Sequence, residues 1–238
     1  MIKKILFYFP SFISLNIFFV YQKLLHKYQS LYFCQNDLDL KLMKHINKKN
    51  GRYLEVGAFD GLVGSVTLRL QNIWGWKGVL IEPIKFRFEK LSKFRGKKNI
   101  CIHSACTDNE NNKELELINL GRMSFIDSKK EKISINKNKH VKIAQELMIG
   151  KGLIETVPNN TLTNILTKRN IYNLDLAIID VEGSEHLLLN GLDLKKINID
   201  FICIETYNLK QTNLILKKNK YYLIDKLSEH DYLFKKKK

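Results

Sequence analysis

The sequence predicts an α/β protein with a mostly parallel sheet of seven strands, helices on both faces and an antiparallel strand at one edge. From Gly51 onward, short apolar runs alternate with helical segments, a pattern typical of parallel sheets. The first run ends at Gly57 in a glycine-rich turn. Later runs end in acids, at Glu82 and Asp180, where open α/β sheets bind ligands.

The predicted elements follow one another along the chain. Helices are expected over residues 38–46, 65–72 and 162–169, with Thr161 capping the last. The expected strands are residues 53–56, 78–81, 100–105, 174–180, 201–205, 221–225 and 232–234. The last two are close in sequence, so they are predicted to form an antiparallel pair appended at the sheet edge.

Residues 107–157 depart from this alternation and are called the insertion below. Residues 114–119 are predicted to be an extra strand, 121–125 a loop, and 129–142 a polar stretch rich in Lys and Asn. An insertion of this kind in a compact domain is usually a lid, a substrate-binding segment or a mobile loop. For residues 129–142 a simple solvated excursion is an equal alternative.

The composition restricts the function classes only moderately. The 238 residues suffice for one full α/β domain, and the net charge of +16 favours an anionic partner. However, Lys outnumbers Arg 34 to 6, which argues against nucleic-acid recognition through Arg forks. The four cysteines form no C-x-x-C pair, so reduced thiols are expected and a zinc site is not.

An uncharged apolar stretch over residues 5–22 precedes the domain, which we expect to occupy residues 35–238. The stretch is just long enough to span a membrane, but Pro10, Ser11, Ser14 and Asn16 interrupt it. The alternatives are an interfacial helix or a helix packed on the domain. More Lys residues follow the stretch than precede it, so the domain is expected in the cytoplasm, either free or membrane-associated.

The glycine-rich turn after the first strand predicts a nucleoside site. Its spacing, Gly57-x-x-x-Gly61, differs from the dinucleotide fingerprint, and Asp60 would repel a pyrophosphate. Glu55 and Asp60 could instead face a cationic centre, so a zwitterionic nucleoside is favoured. Glu82 ends the second strand at the distance where α/β folds bind ribose hydroxyls, and this role is preferred over that of a solvated strand-end residue.

Two carboxylates at the end of the fourth strand, Asp180 and Glu182, are the candidate catalytic residues. One could bind an amino group or the methyl-bearing centre, while another accepts a proton from an attacking hydroxyl. His186 is a weaker candidate base, since a His at a helix start is more often a surface residue. Glu205 ends the next strand, and with Asp180 and Glu182 it leaves a hard-cation site open, although no metal cluster is evident.

Together these blocks resemble the FkbM family of S-adenosylmethionine-dependent methyltransferases. The resemblance covers about residues 51–234, with strong blocks in the family's order: Leu54–Gly61, Gly75–Gly78 running into Ile81–Pro83, Val157–Pro158 ahead of Thr161–Leu162, Ile179–Glu185 with Leu189–Gly191, and Ile204–Glu205. Gln35-Asn36-Asp37 resembles a short polar motif that precedes the domain in relatives. Phe59 departs from the family, which usually has a small residue there.

The resemblance implies a class I methyltransferase fold, S-adenosyl-L-methionine as cofactor and methyl transfer to a hydroxyl oxygen. Acceptors across the family include sugars and macrolide-type compounds, and bacterial members are often associated with surface polysaccharide synthesis. Carried onto this sequence, the methionine end of the cofactor is expected at Glu55, Gly57 and Asp60, within the block that ends at Gly61, and the ribose at Glu82. Asp108 stands where an adenine-side acid often follows the third strand, although a simple turn there is an equal interpretation.

Two other function classes stay open from the sequence. The charge suggests an RNA ribose methyltransferase, whereas enzymes for exocyclic amines or cytosine carbon are excluded because their proline-containing motifs are absent. A non-catalytic cofactor-binding scaffold is the second alternative, against which the complete set of acids argues. A nicotinamide dehydrogenase is disfavoured by the glycine spacing.

Overall fold

The computed structural model describes residues 34–109, 111–127, 133–146 and 152–237, and the apolar stretch 5–22 lies outside these residues. The helices are α1 (Leu38–His45), α2 (Thr67–Trp74), α3 (Lys85–Arg95), α4 (Lys137–Glu146), α5 (Leu162–Thr167), α6 (Glu185–Asn190) and α7 (Leu209–Lys218). The strands are β1 (Arg52–Val56), β2 (Lys77–Glu82), β3 (Ile100–His103), β4 (Ala105–Cys106), β5 (Glu114–Asn119), β6 (Phe125–Ile126), β7 (Leu153–Asn160), β8 (Asn173–Ile179), β9 (Asn198–Glu205), β10 (Tyr221–Lys226) and β11 (Asp231–Lys236).

The main sheet has seven strands in the order β10-β11-β9-β8-β1-β2-β3. The five strands from β9 to β3 are parallel, whereas β11 is antiparallel to both β9 and β10. The predicted antiparallel pair is therefore present at the edge, with β11 inserted between β9 and the outermost strand β10. In the parallel part, all strands present their carboxyl ends to the same edge of the sheet.

Helices cover both faces of the main sheet, as predicted, because its central strands are apolar on both sides. One core joins Leu54, Val56 and Ile179 to helices α5, α6 and α7. The other joins Tyr53 and Leu80 to helices α1, α2 and α3. The turn before α5 is capped as expected, with Thr161 Oγ1 accepting from Asn164 N at 3.2 Å.

The insertion forms a second, four-stranded sheet in the order β4-β7-β5-β6, which the sequence did not predict as a whole. Residues 114–119 are a strand as expected. The predicted single strand over 100–105 is instead two, because the chain leaves the main sheet at Ser104 and β4 pairs with β7. Residues 121–125 contain a short 3₁₀ turn (Gly121–Met123) rather than only a loop, and the polar stretch includes α4.

In the described part of the chain, no helix combines the length and apolar character that crossing a membrane requires.

Candidate active site

A cavity of about 490 Å³ lies at the carboxyl ends of β1, β2, β8 and β9. Its volume is within the usual range for small-molecule sites. One wall consists of strand-end turns that contain Gly57, Glu82, Asp180 and Glu205. The other wall comes from the insertion, whose lining residues are Leu117, Gly121, Arg122, Met123, Ser124, Phe125 and Ile126. The part of the insertion from Leu117 to Ile126 therefore contributes directly to the site.

Gly57 allows the turn after β1 to pass close to the neighbouring strand. Its φ is +84°, and a Cβ at this position would lie only 1.9 Å from the carbonyl oxygen of Asp180. The amide groups of Gly57 and Ala58 both donate to Ile81 O at 3.0 Å, so the turn is held against β2. The backbone here thus reaches the cavity in a conformation that only glycine adopts without strain.

Glu55 lines the cavity, but its carboxylate organises the turn. It accepts hydrogen bonds from Ser65 Oγ and Val66 N at 3.0 Å, and also from Thr67 Oγ1. Both oxygens are therefore engaged by the segment that leads into α2. This arrangement supports an indirect contribution of Glu55 to ligand binding, through the shape of the turn.

Asp60 and Gly61 do not line the cavity, in contrast to the direct contacts expected for them. Asp60 Oδ1 accepts from the backbone amides of Leu62 and Val63, both at 2.9 Å, because a short acidic side chain readily captures the next amides in a turn. Gly61 packs under α3, where a Cβ would lie 2.5 Å from Leu91 Cδ1. Both residues shape the turn from behind.

Glu82 lies in the cavity wall as the sequence predicted. Its Oε2 accepts from Phe59 N and its Oε1 from Ile84 N, both at 2.9 Å. Each carboxylate oxygen has a second lone pair, so two vicinal hydroxyls can still donate to it. Burial raises the pKa of Glu82 to about 7, while the backbone amides and Arg87 act in the opposite direction.

The turn after β8 brings the two candidate catalytic acids into the cavity wall. Glu182 has a φ of +49°, an uncommon conformation for a residue with a side chain. Asp180 Oδ1 and Glu182 Oε2 are buried, and neither has a hydrogen-bond partner in the residues that the structure describes. Glu182 Oε2 lies 3.5 Å from His140 Nε2. The same nitrogen lies 2.9 Å from Met123 O, within hydrogen-bond distance.

The acids of this wall interact strongly. Burial raises the pKa of Asp180 well above its usual range, and the neighbouring Glu205 and Glu182 add to the shift. Burial is also the main cause of the raised pKa of Glu182, and repulsion from Glu205 and Glu185 raises it further. Since like charges at short range disfavour simultaneous ionisation, these groups hold protons to a higher pH than ordinary carboxyl groups do. Such groups suit proton transfer.

Asp108 and His186 do not line the cavity. Because the chain leaves the main sheet at Ser104 to form β4, it carries Asp108 past the site to an exposed turn beside Gly191. Ser104, Ala105 and Cys106 line the cavity in its place. His186 belongs to α6 and stays outside.

The comparison with protein families identifies this arrangement. A model described as the methyltransferase FkbM domain matches residues 55–234, which covers most of the chain. The chain belongs to the FkbM methyltransferase family. Its cofactor is S-adenosylmethionine, and its seven-stranded sheet with flanking helices is the class I methyltransferase fold.

Solved structures with a similar outline were also found. A TehB-like S-adenosylmethionine-dependent methyltransferase from Corynebacterium glutamicum has a TM-score of 0.45 and 7% identity, covering 94% of this chain and 98% of that one. An FkbM methyltransferase from Methylobacillus flagellatus has a TM-score of 0.43 and 13% identity over 78% of this chain and 43% of that one. A methyltransferase from Thiobacillus denitrificans in complex with S-adenosyl-L-homocysteine has a TM-score of 0.37 and 10% identity, with 82% and 67% covered. No curated protein matches the sequence significantly.

The cavity of this FkbM-family methyltransferase fits its cofactor. Gly57 lines the cavity with backbone alone, and the Glu82 carboxylate has lone pairs to spare for ribose hydroxyls. The unpaired Asp180 Oδ1 can face a cationic group. In the described ranges no group of three or more His, Cys, Asp or Glu side chains is arranged to hold a metal ion.

Several residues of the methyltransferase site were missed by sequence reasoning. Asp231 starts β11 and pairs in register with Glu205, so the sheet order was needed to place it beside the acids. His230 packs against Tyr207, with ring centroids 4.6 Å apart, at the same rim. Arg87 and His140 reach the site from α3 and α4, and no local sequence signal marks either of them.

Proposed function

We propose that this methyltransferase transfers a methyl group to a hydroxyl oxygen of a small molecule or saccharide, including precursors of surface polysaccharides or glycans. The observation that supports O-methylation best is that two buried carboxylate oxygens in the cavity wall, Asp180 Oδ1 and Glu182 Oε2, accept no hydrogen bond from the described residues. An attacking hydroxyl must lose its proton, and a carboxylate with a raised pKa is a stronger base than an ordinary one.

In this proposal the chain contributes alignment and proton transfer. The Gly57 turn and Glu82 hold the nucleoside and so fix one reactant, and alignment of two bound reactants can lower the barrier by about 7–11 kcal/mol. When bound, S-adenosylmethionine supplies a methyl group activated by its sulfonium centre. Asp180 or Glu182 accepts the proton from the acceptor hydroxyl, and Met123, Phe125 and Ile126 of the insertion exclude water from this side.

The first test measures cofactor affinity by titration calorimetry. Glu82→Ala removes charge-assisted hydrogen bonds to the ribose, so the Kd for S-adenosylmethionine should rise by about 10-fold or more. Asp108→Ala is the matched control, because this exposed acid lies outside the cavity and its removal should leave the Kd unchanged. A folded wild-type protein that does not bind the cofactor would remove the proposal.

The second test measures release of S-adenosylhomocysteine with a panel of neutral saccharides. Loss of the base, in Asp180→Asn or Glu182→Gln, should lower kcat by about 100-fold or more. Asp200→Asn, which changes an exposed acid on β9, should retain wild-type turnover. Cofactor binding without turnover of any hydroxyl acceptor would favour the non-catalytic scaffold, and salt-sensitive retention of RNA would favour an RNA ribose acceptor.

A further inference from the structure

Arg87 connects two parts of the cavity wall that lie far apart in sequence. It projects from the first turn of α3, and its guanidinium group contacts the insertion on one side. Nη1 donates to Gly121 O at 2.8 Å and to Ser124 Oγ at 3.3 Å, while Nη2 donates to Asn119 Oδ1 at 2.7 Å. The turn between β5 and β6 is thereby tied to the core.

On its other side the same guanidinium group stacks on the turn that follows β1, residues 57–66, called the cofactor turn below. Arg87 Cζ lies 4.6 Å from the centroid of the Phe59 ring. Phe59 has a φ of +51° and donates its amide to Glu82 Oε2, the carboxylate assigned to the ribose. A bulky residue in this conformation is strained, and the stacked guanidinium gives its ring a favourable contact. Phe59, the residue that departs from the family pattern, thus contacts Arg87.

The turn held by Arg87 carries residues of the opposite cavity wall. Arg122, Met123 and Ser124 all line the cavity. The guanidinium group of Arg122 lies above the cofactor turn, since a Cβ on Gly64 would be 3.5 Å from its Nη1. A shift of Phe59 on cofactor binding would therefore act on this turn through Arg87.

We propose that Arg87 is a positioning residue that couples the cofactor turn to the insertion, so that a bound cofactor orders the acceptor-side wall formed by residues 119–126. This inference rests on the proposed function for the assignment of residues 119–126 to the acceptor side of the cavity. The planar fork of Arg is required, because a Lys ammonium group could not stack on Phe59 and bind the three insertion oxygens at the same time.

The test is hydrogen–deuterium exchange of the full chain with and without S-adenosylhomocysteine. In the wild type, the ligand should slow exchange both in residues 55–66 and in residues 119–126, the latter by about tenfold, a usual size for coupled sites. In Arg87→Lys and in Phe59→Leu, the ligand should still protect residues 55–66, while its effect on residues 119–126 disappears.

Two features of the design separate coupling from simple destabilisation. Phe59→Leu leaves the hydrogen bonds between Arg87 and the insertion in place. If Arg87 only stabilised the insertion, the exchange of residues 119–126 and the effect of the ligand on it would therefore be the same as in the wild type. Phe86→Leu removes an exposed ring, stacked under Lys90 on the same helix, and should behave as the wild type. Ligand-induced protection of residues 119–126 that persists in Arg87→Lys and in Phe59→Leu would overturn the inference. Failure of the wild type to bind the ligand would instead overturn the proposed function.

Discussion

Gly57 is the residue on which the geometry of the cavity depends most directly. Two constraints act on this residue. Its backbone is left-handed, and the carbonyl oxygen of Asp180 lies only 1.9 Å from the position of a Cβ. Each constraint alone favours glycine, and their combination leaves no space for even a methyl group. A substitution at this position therefore separates β1 from β8 at the site itself.

We predict that Gly57→Ala lowers the free energy of unfolding by more than about 3 kcal/mol, because it adds a collision to the cost of a left-handed backbone. Gly152→Ala is the matched control: its φ is also positive, at +71°, but the nearest atom to a Cβ is Leu120 Cδ2 at 3.6 Å. It should cost only about 1–2 kcal/mol. Chemical denaturation measures both, and equal losses would contradict the steric argument.

At the residue scale, the sequence predicted the parts of the site that depend on local pattern. Gly57, Glu82, Asp180 and Glu182 follow apolar runs directly, and all four line the cavity. Asp60 was expected to contact the cofactor, but its carboxylate accepts hydrogen bonds from neighbouring backbone amides. Sequence alone does not reveal whether such an acid will bind its own turn or a ligand.

Helix α4 and the residues before it pack onto the turn that carries the catalytic candidates. Ser134 N donates to Gly183 O at 2.7 Å, and Ser134 Oγ lies within hydrogen-bond distance of both Gly183 O and Glu185 Oε2. Ile135 packs against Gly183 so closely that a Cβ there would be 2.8 Å away. The insertion thus contacts the acidic turn as well as the cofactor turn.

Ser134→Ala removes the hydroxyl contacts to this turn and should loosen the attachment of α4. We expect faster tryptic cleavage at Lys137, Lys139 and Lys142, by about 5-fold for a lost hydrogen bond near 1 kcal/mol. Limited proteolysis followed by mass spectrometry measures this rate. Ser92→Ala on the exposed side of α3 should leave cleavage in α4 unchanged, and an equal increase in both variants would contradict the assignment.

At the element scale, strands buried on both faces were predictable, whereas the second sheet was not. Strand β7 contains Pro158, which cannot donate to a ladder, and Leu153 and Ile154 are both exposed, so no alternation marks it. Helix α4 buries only His140 and Ala144, one turn apart, and so lacks a broad apolar stripe. Both elements are stabilised by tertiary contacts that sequence periodicity does not encode.

For the whole molecule, the site gathers acids in a chain whose total net charge is +16. Burial is the main cause of the raised pKa of Glu82, Asp180, Glu182, Glu185, Glu205 and Asp231. For Glu82 and Glu185 the pKa rises from 4.5 to about 7. The acidic cavity therefore binds protons more tightly in the folded protein than in the unfolded chain.

This difference predicts how stability depends on pH. The folded protein holds more protons between about pH 4 and 7, so the free energy of unfolding should fall as pH rises from 5 to 8, by at least about 3 kcal/mol. His140, whose pKa burial lowers, acts in the opposite direction, but it is one group against six acids. Denaturant titrations at several pH values measure the fall.

Glu185→Gln provides the matched variant for this pH dependence. The Gln oxygen can still accept from Gly183 N, and its amide can donate to Ser134 Oγ. The variant should match the wild type near pH 5 and be more stable at pH 8, which flattens the profile. A wild-type stability that rises between pH 5 and 8 would contradict the assignment.

The position of β11 between β9 and β10 has a consequence for biosynthesis. Asp231 reaches the acids of the site only after residues 231–236 have entered a gap between two strands that precede them in the chain. The chain leaves the ribosome from its N-terminus, and a domain generally folds as a unit. A nascent chain therefore has no complete acidic wall until β11 emerges, so ribosomes stalled before that point should carry a chain with an open sheet.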